Sequence, residues 1–350
     1  MRFVSPPGGA GWAGGDEYIN SINEMLKIAE LQNVCEVIWF RNETILPNRL
    51  LTIQGVNQLD KMIRKIVYSR LGFNIPLPVS RFAKHSFFWI PDLQDLEIPE
   101  MFTKAQIRQR KKQRESAIKN KYVIYFSSEH ARKIFSKFHT SQNEYGLLRF
   151  SVFPSTLRDY STSPLDCRYC HENGYFYFPN QWWKHKNHII TLNAYHKYKS
   201  EGGKLHLVLS GSKDDYRWPT YYKSVEQTIE LDNNCIHNLG FLERSSQLSV
   251  LFNARSVLQT SLYEGWSTTI EEGLVTGKIL IVSNLPVFVE QCKHEDNVIF
   301  VNPMSIDSLV KGMFQVDSFK TTKRDSFWRW ARFESDFKQL IEIAKSSLEN

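Results

Sequence analysis

Glu264 and Glu272 bracket a run of hydroxyls in one short stretch, Glu264-Gly265-Trp266-Ser267-Thr268-Thr269-Ile270-Glu271-Glu272. A carboxylate only accepts hydrogen bonds, so a pair of them suits neighbouring sugar hydroxyls. Thr268 with Glu271 three residues on fits a capping box, which predicts a helix beginning near residue 268. The free N–H groups of its first turn, with the hydroxyls of Ser267, Thr268 and Thr269, suit a phosphate oxygen. Glu264 then lies in the loop before the helix and Glu272 about one turn inside it, so both can address one ligand at the helix mouth. Gly277 most simply ends the helix. A glutamate pair at this spacing is common on solvated faces; the preceding strand and Gly265 set this one apart. Lys184 and Lys186 stand at another predicted helix start. The helix dipole disfavours lysine there, and an anionic partner would favour it.

These side chains need elements to position them. Short apolar runs alternate with helical patterns from residue 175 onward. Strands are predicted at 175–178, 205–209, 235–239, 256–260, 279–282 and 298–301, with helices near 188–200, 245–253 and 268–275 and a polar helix after Ser210-Gly211. Such alternation is the signature of βα units around a parallel sheet. The first half repeats the rhythm more faintly, with strands at 37–40, 87–90 and 122–126 and a helix near 129–138. Gly14-Gly15 precedes another helical pattern. A stretch without clear period, 154–173, reads as a hinge. The expected organisation is therefore an amino-terminal Rossmann-like domain over 1–153, the hinge, a second such domain over 174–320, and carboxyl-terminal helices over 321–350 that pack back on the first. Ligands of such sheets sit beyond the carboxyl ends of the strands.

The 264–277 stretch resembles the E-x7-E signature of family 4 retaining glycosyltransferases, the group 1 polysaccharide type, with Glu264, Gly265, Trp266, Glu272 and Gly277 in register. The resemblance implies an α/β chain of the GT-B fold, two Rossmann-like domains facing each other across a cleft. It implies that Glu264 contacts the donor sugar and Glu272 the nucleotide ribose. The string 178–188 resembles the segment opening the donor domain, where a basic residue reaches the diphosphate; Lys186 is the match, with Lys184 nearby. Leu239-Gly240-Phe241-Leu242 resembles the loop that meets the nucleobase, and Gly211 is grouped with Phe241, Gly265, Trp266, Ser267, Thr268 and Thr269 as donor-binding. Gly14 and Gly15 resemble the glycine pair that approaches the donor phosphates. Trp89–Gln94 and Ser127–Glu129 resemble strand ends of the acceptor domain. Two departures stand out: Asn180 occupies the place of an arginine found in many members. Pro91 replaces a histidine, leaving Asp92 as the nearest polar group for acceptor-side chemistry.

The bulk numbers agree with a soluble two-domain enzyme. The 350 residues are 42% hydrophobic and 23% charged, and the net charge of +7 favours anionic partners such as nucleotides. No run approaches the ~20 apolar residues of a spanning helix, and Met1–Pro7 lacks a secretory core, so a cytoplasmic location is expected. Residues 104–121 hold eight Lys or Arg against one Glu. They form a solvated helix or a patch for an anionic lipid or phosphorylated acceptor, with peripheral contact to the inner face of a membrane. Cys167-x-x-Cys170-His171 lacks a second cysteine pair for zinc and the export that haem attachment would need. No zinc-finger or RNA-recognition string supports specific nucleic acid binding. The expected activity is hexosyl transfer from a UDP- or GDP-sugar to a hydroxyl of a glycan or lipid-linked glycan, with retention, no metal ion and no cofactor beyond the donor. The alternative is a non-catalytic glycan- or partner-binding protein on the same fold.

Overall fold

The computed structural model describes residues 2–4, 21, 24–25, 36–38, 73–74, 85–152, 174–213, 215, 217–231, 234–319 and 327–349. The chain forms two compact units. One comprises Met1–Leu93, Arg108–Ser151 and Arg329–Asn350, the other Gln94–Ile107 and Val152–Trp328. Gly14, Gly15, the proposed hinge and the cysteine pair at 167 and 170 lie outside the described residues.

In the first unit, β1 (Arg2–Val4) pairs with β2 (Glu36–Ile38), and β3 (Phe73–Asn74), β4 (His85–Ile90), β5 (Val123–Phe126) and β6 (Tyr145–Leu147) form a four-stranded sheet in that order. All pairings are parallel. Aromatic side chains fill its core. Trp89 stacks on Tyr125, with ring centroids 6.5 Å apart, and its indole N–H donates to Ser127 at 2.9 Å. Ser128 caps helix Glu129–Phe138 by accepting from the Ala131 N–H, so the strand β5 passes into its helix with little slack.

The last helix, Phe327–Glu349, is held in this unit by a charge-assisted fork. Asp336 accepts from the backbone N–H, Nε and Nη2 of Arg149 at 2.9, 2.8 and 2.6 Å. Phe333 packs edge-on to Phe150 beside it.

The second unit is a six-stranded parallel sheet built from β7 (Tyr175–Pro179), β8 (His206–Ser210), β9 (Ile236–Asn238), β10 (Ser256–Gln259), β11 (Ile279–Ser283) and β12 (Val298–Val301). The order is β12-β11-β10-β7-β8-β9, the doubly wound order of a Rossmann fold, with its switch point between β7 and β10. Burial on both faces of the inner strands β7, β8, β10 and β11 explains why those runs read as largely apolar. Alternate residues face opposite layers. Phe176, Phe178, Leu207, Leu209 and Ile281 join the cluster under helices His188–Ser200 and Ile306–Ser318. Tyr175, Tyr177, Val208, Val257 and Leu280 join the one under helices Arg244–Asn253, Thr268–Val275 and Pro286–Gln291. Gly273 is small because Leu280 lies where a Cβ would point, 2.5 Å away.

On the described residues the strand and helix bounds expected from the sequence hold to within about two residues, the polar helix after Gly211 begins at Tyr221, and most of the helical pattern after Gly15 lies outside the described residues. One local expectation fails: the cap of helix Thr268–Val275 is Ser267, whose Oγ accepts from the Ile270 N–H at 3.3 Å. Glu271 does not reach back in a capping box; it is buried, and its carboxylate accepts from Gln291 Nε2 at 3.0 Å. Gln291 also donates to the Ser267 carbonyl and accepts from its N–H, so a residue distant in sequence sets the cap. Gly277, at φ +69°, closes the far end.

His188 opens helix His188–Ser200 fully buried among Phe178, Trp182 and Tyr221, with ring centroids 4.9, 5.9 and 6.3 Å away. Burial pushes its imidazole down from 6.5 to about 3, against a backbone contact at Asn180 and helped by the charge of Lys186. The unfolded chain takes up this proton below pH 6.5 and the folded chain only near 3, so stability is complete above that window and lost as pH falls through it. His188→Phe should therefore reduce the loss of unfolding free energy between pH 7 and 5 by about 2 kcal/mol; urea melts giving the same pH dependence as wild type would refute this. In the other unit, Asp336→Ala should cost about 2–4 kcal/mol by removing the three contacts that Arg149 makes to it, read as a lower urea midpoint.

Candidate active site

The switch point is where the chain concentrates polar side chains. The β7–β10 ladder pairs Phe176 with Ser256 and Tyr177 with Val257. Pro179 brings no N–H to extend it. Beyond it the strands are joined by side chains: Asn180 Nδ2 donates to Gln259 Oε1 at 3.0 Å. Gln259 Nε2 in turn donates to Glu264 Oε1 at 3.0 Å and to Ser261 Oγ at 3.2 Å. Ser261 Oγ donates to the same Glu264 oxygen at 2.9 Å, and Lys186 Nζ pairs with it as well. Glu264 Oε1 thus gathers three donors, and Oε2 takes none of them.

Backbone contacts fix where these side chains start. Lys184–Lys186 form one 3-10 turn, and Asn187 follows in the left-handed region at φ 65°. Asn187 Nδ2 donates to the carbonyls of Thr260 and Pro303 at 3.0 and 2.8 Å. The Leu262 N–H donates to His185 O, and the Thr191 and Thr260 hydroxyls meet at 2.6 Å. The turn carrying Lys186 and the loop carrying Glu264 are therefore sewn together along their length. His185, buried in this seam, is held well below the usual imidazole range by burial, with Lys186 and Arg217 adding to it.

The N-terminus of helix Thr268–Val275 adjoins this loop. Ser267 Oγ occupies the Ile270 N–H, and the N–H groups of Thr268 and Thr269 have no acceptor among the described residues. Gly265 is buried and Trp266 packs on the neighbouring core cluster.

The other predicted residues fall in different places. Glu272 is buried, and its Oε1 meets Arg244 at 2.7 Å. Tyr177 is close enough to feel both charges; burial raises its phenol well above the ordinary value, and its hydroxyl meets Ser210 Oγ at 2.7 Å. Gly211 follows Ser210 at φ +148°, where a Cβ would lie 2.1 Å from the Asn180 carbonyl oxygen. Its N–H donates to Gly240 O at 2.8 Å, which brings the loop of Phe241, an exposed ring, beside it. Lys184 departs from Lys186. Its Nζ sits 3.7 Å from the Trp218 ring centroid, on the wall of a groove of about 690 Å³ that Tyr221, Ser224, Gln227 and Thr228 also line. Asp92 belongs to the first unit and pairs with Arg110 at 2.7 Å.

Gln259, Ser261, Arg244 and Asn187 went unseen in the sequence. Gln259 carried a signal, a polar residue at the carboxyl end of the apolar strand Ser256–Gln259. Arg244 gave none, because its partner Glu272 is 28 residues away. Among the described residues no cluster of His, Cys, Asp or Glu is arranged to hold a metal ion, and no helix is long and apolar enough to cross a membrane.

With this geometry in hand, likeness to known proteins is informative. Residues 171–321 match the family described as Glycosyl transferases group 1. No curated protein sequence matches the chain. Among solved structures, sucrose-phosphate synthase from Thermosynechococcus elongatus aligns over 99% of both chains, with TM-score 0.66 and 14% identity. A glycosyltransferase from Rickettsia africae aligns over 99% of this chain and 96% of its own, with TM-score 0.63 and 14% identity. An alpha,alpha-trehalose-phosphate synthase (UDP-forming) from Burkholderia xenovorans, in complex with glucose-6-phosphate, aligns over 83% and 76%, with TM-score 0.56 and 13% identity. At these identities the likeness speaks for the fold. The chain has the α/β GT-B fold, and its residues 171–321 are similar to the glycosyl transferases group 1 family.

Proposed function

We propose that the protein transfers a hexosyl group from a UDP- or GDP-sugar to a hydroxyl of a glycan or lipid-linked glycan, with retention at the anomeric carbon. The observation that carries this reading is the pairing of Lys186 with Glu264 beside the N-terminus of helix Thr268–Val275. In the transfer, the bond between the anomeric carbon and the diphosphate oxygen breaks and the acceptor oxygen bonds to that carbon. The acceptor proton leaves with the nucleoside diphosphate. Positive charge grows on the sugar and negative charge on the leaving group, so fixed donors aimed at the diphosphate act chiefly in the transition state.

Lys186 and the N–H groups of Thr268 and Thr269 are assigned that duty. Glu264 Oε2 is assigned to a sugar hydroxyl, since Oε1 is already filled. Glu272, fixed by Arg244, is assigned to the ribose end, and the loops of Gly211 and Phe241 to the base. Lys184 would have to leave the Trp218 face to reach a diphosphate, so it ranks below Lys186. Asp92 is kept as the acceptor-side candidate. The UDP-forming trehalose-phosphate synthase among the structural neighbours favours a UDP-linked donor. No step calls on a metal ion.

The exposed Lys104, Arg108, Lys111, Lys112, Lys119 and Lys121 are assigned to an anionic surface near the acceptor. Arg110 is engaged with Asp92, and Arg114 is buried. Vesicles containing phosphatidylglycerol should sediment the protein at low salt and release it at high salt; equal sedimentation with neutral vesicles would remove this assignment.

A thermal-shift panel of UDP-, GDP-, dTDP- and ADP-sugars identifies the donor, since a ligand at a hundred times its Kd stabilises by about 2.7 kcal/mol. On the donor so found, Lys186→Ala should lower turnover by roughly a hundredfold and change donor affinity far less. An unaltered rate would move the phosphate contact elsewhere. Nucleotide binding with no release of nucleoside diphosphate on adding acceptor would favour the non-catalytic alternative.

A further inference from the structure

We infer that Asn180 and Gln259 are positioning residues for the transfer, a two-amide relay across the switch point that decides which oxygen of Glu264 meets the donor sugar. The inference rests on the glycosyltransferase reading and deepens it.

A primary amide has a donor end and an acceptor end, and its neighbours decide which way it points. Asn180 Nδ2 donates to Gln259 Oε1. That contact leaves Gln259 only one orientation, with Nε2 toward Ser261 and Glu264. Ser261 Oγ accepts from Gln259, so its own proton goes to Glu264 Oε1. Two neutral donors and Lys186 therefore converge on one oxygen of the carboxylate. The group cannot rotate without breaking all three contacts, and its Oε2 is left clear of these three donors. The same arrangement keeps Lys186 from wandering, because its counter-charge is fixed.

Burial makes the relay effective. Asn180, Gln259 and Ser261 are all almost fully buried, where an unmet amide or hydroxyl is costly and hydrogen bonds polarise one another. Gly211 presses against the Asn180 carbonyl with no room for a side chain, so the relay's first member is itself clamped. A residue that looks like a loss, an amide at a place where an arginine is common, becomes the start of the device.

The test uses the full chain, with UDP-glucose and GDP-mannose as donors, UDP affinity by calorimetry, and melting temperature. Asn180→Asp replaces the donor facing Gln259 by an acceptor. The Gln259 amide must then turn its N–H toward the new carboxylate and its carbonyl toward Glu264. Turnover should fall roughly ten- to a hundredfold while UDP affinity stays at the wild-type value, a split that a merely structural role would not produce. Gln259→Met, close in shape and without either polar end, should show the same split and serves if Asn180→Asp melts too low to assay. The double variant Asn180→Ala/Gln259→Met should be no slower than Gln259→Met, because Asn180 acts only through Gln259.

Wild-type turnover in Gln259→Met, or losses that multiply in the double variant, would overturn the relay while leaving the transferase reading intact. A wild-type protein that binds UDP yet turns over neither donor would overturn the reading and the relay together.

Discussion

A carboxylate withdrawn from most of its water has to be given hydrogen bonds by the protein, or it will be neutralised. Glu264 meets that requirement on one oxygen only, through Gln259, Ser261 and Lys186. The rest of the second unit can be understood as the scaffold for this concentration of donors. Each donor comes from a different stretch: the end of β10, the loop after it, and the turn after β7. A sheet whose order reverses between β7 and β10 places those stretches side by side at the switch point, where ligands of such sheets bind.

The scaffold keeps its tolerances by close packing. Gly211, Gly273 and Gly312 each stand where a Cβ would meet a neighbour at under 3 Å: the Asn180 carbonyl, Leu280 and Val301. The first sets the approach of the β7 and β8 ends; the other two let their helices lie close on the sheet. Side-chain bonds between distant segments complete the work, as with Gln291 holding the cap at Ser267 and Asn187 holding two carbonyls. None of these side-chain bonds is local in sequence, and they tie the helix N-terminus and the lysine turn to distant segments.

Much of this was legible in the residues. The inner strands β7, β8, β10 and β11 announced themselves because burial on both faces leaves largely apolar runs, and the βα alternation predicted a parallel sheet. The Glu264–Gly277 pattern placed the strand, the loop and the helix correctly. What escaped was set by pairings between distant segments. The cap was assigned to Thr268 because Thr268 and Glu271 have the right spacing, but Ser267 holds that position and Gln291 takes Glu271. Arg244 was invisible for the same reason. The sequence matches Lys186 to the diphosphate contact with Lys184 nearby, but only the tight turn shows that the two side chains have different partners. Asn180 was visible as a departure, but what an amide does there depends on Gln259.

That division of the two lysines carries a consequence for how the turn must be made. Because Lys184 lies on an indole face and Lys186 on a carboxylate, a slip of the turn by two positions would exchange a cation–aromatic contact for an ion pair. Asn187 guards against such a slip: its left-handed backbone and its grip on two distant carbonyls fit only one threading of the segment. The asparagine acts as a key that indexes the charges, fixing which cation enters the polar network and which remains at its flank.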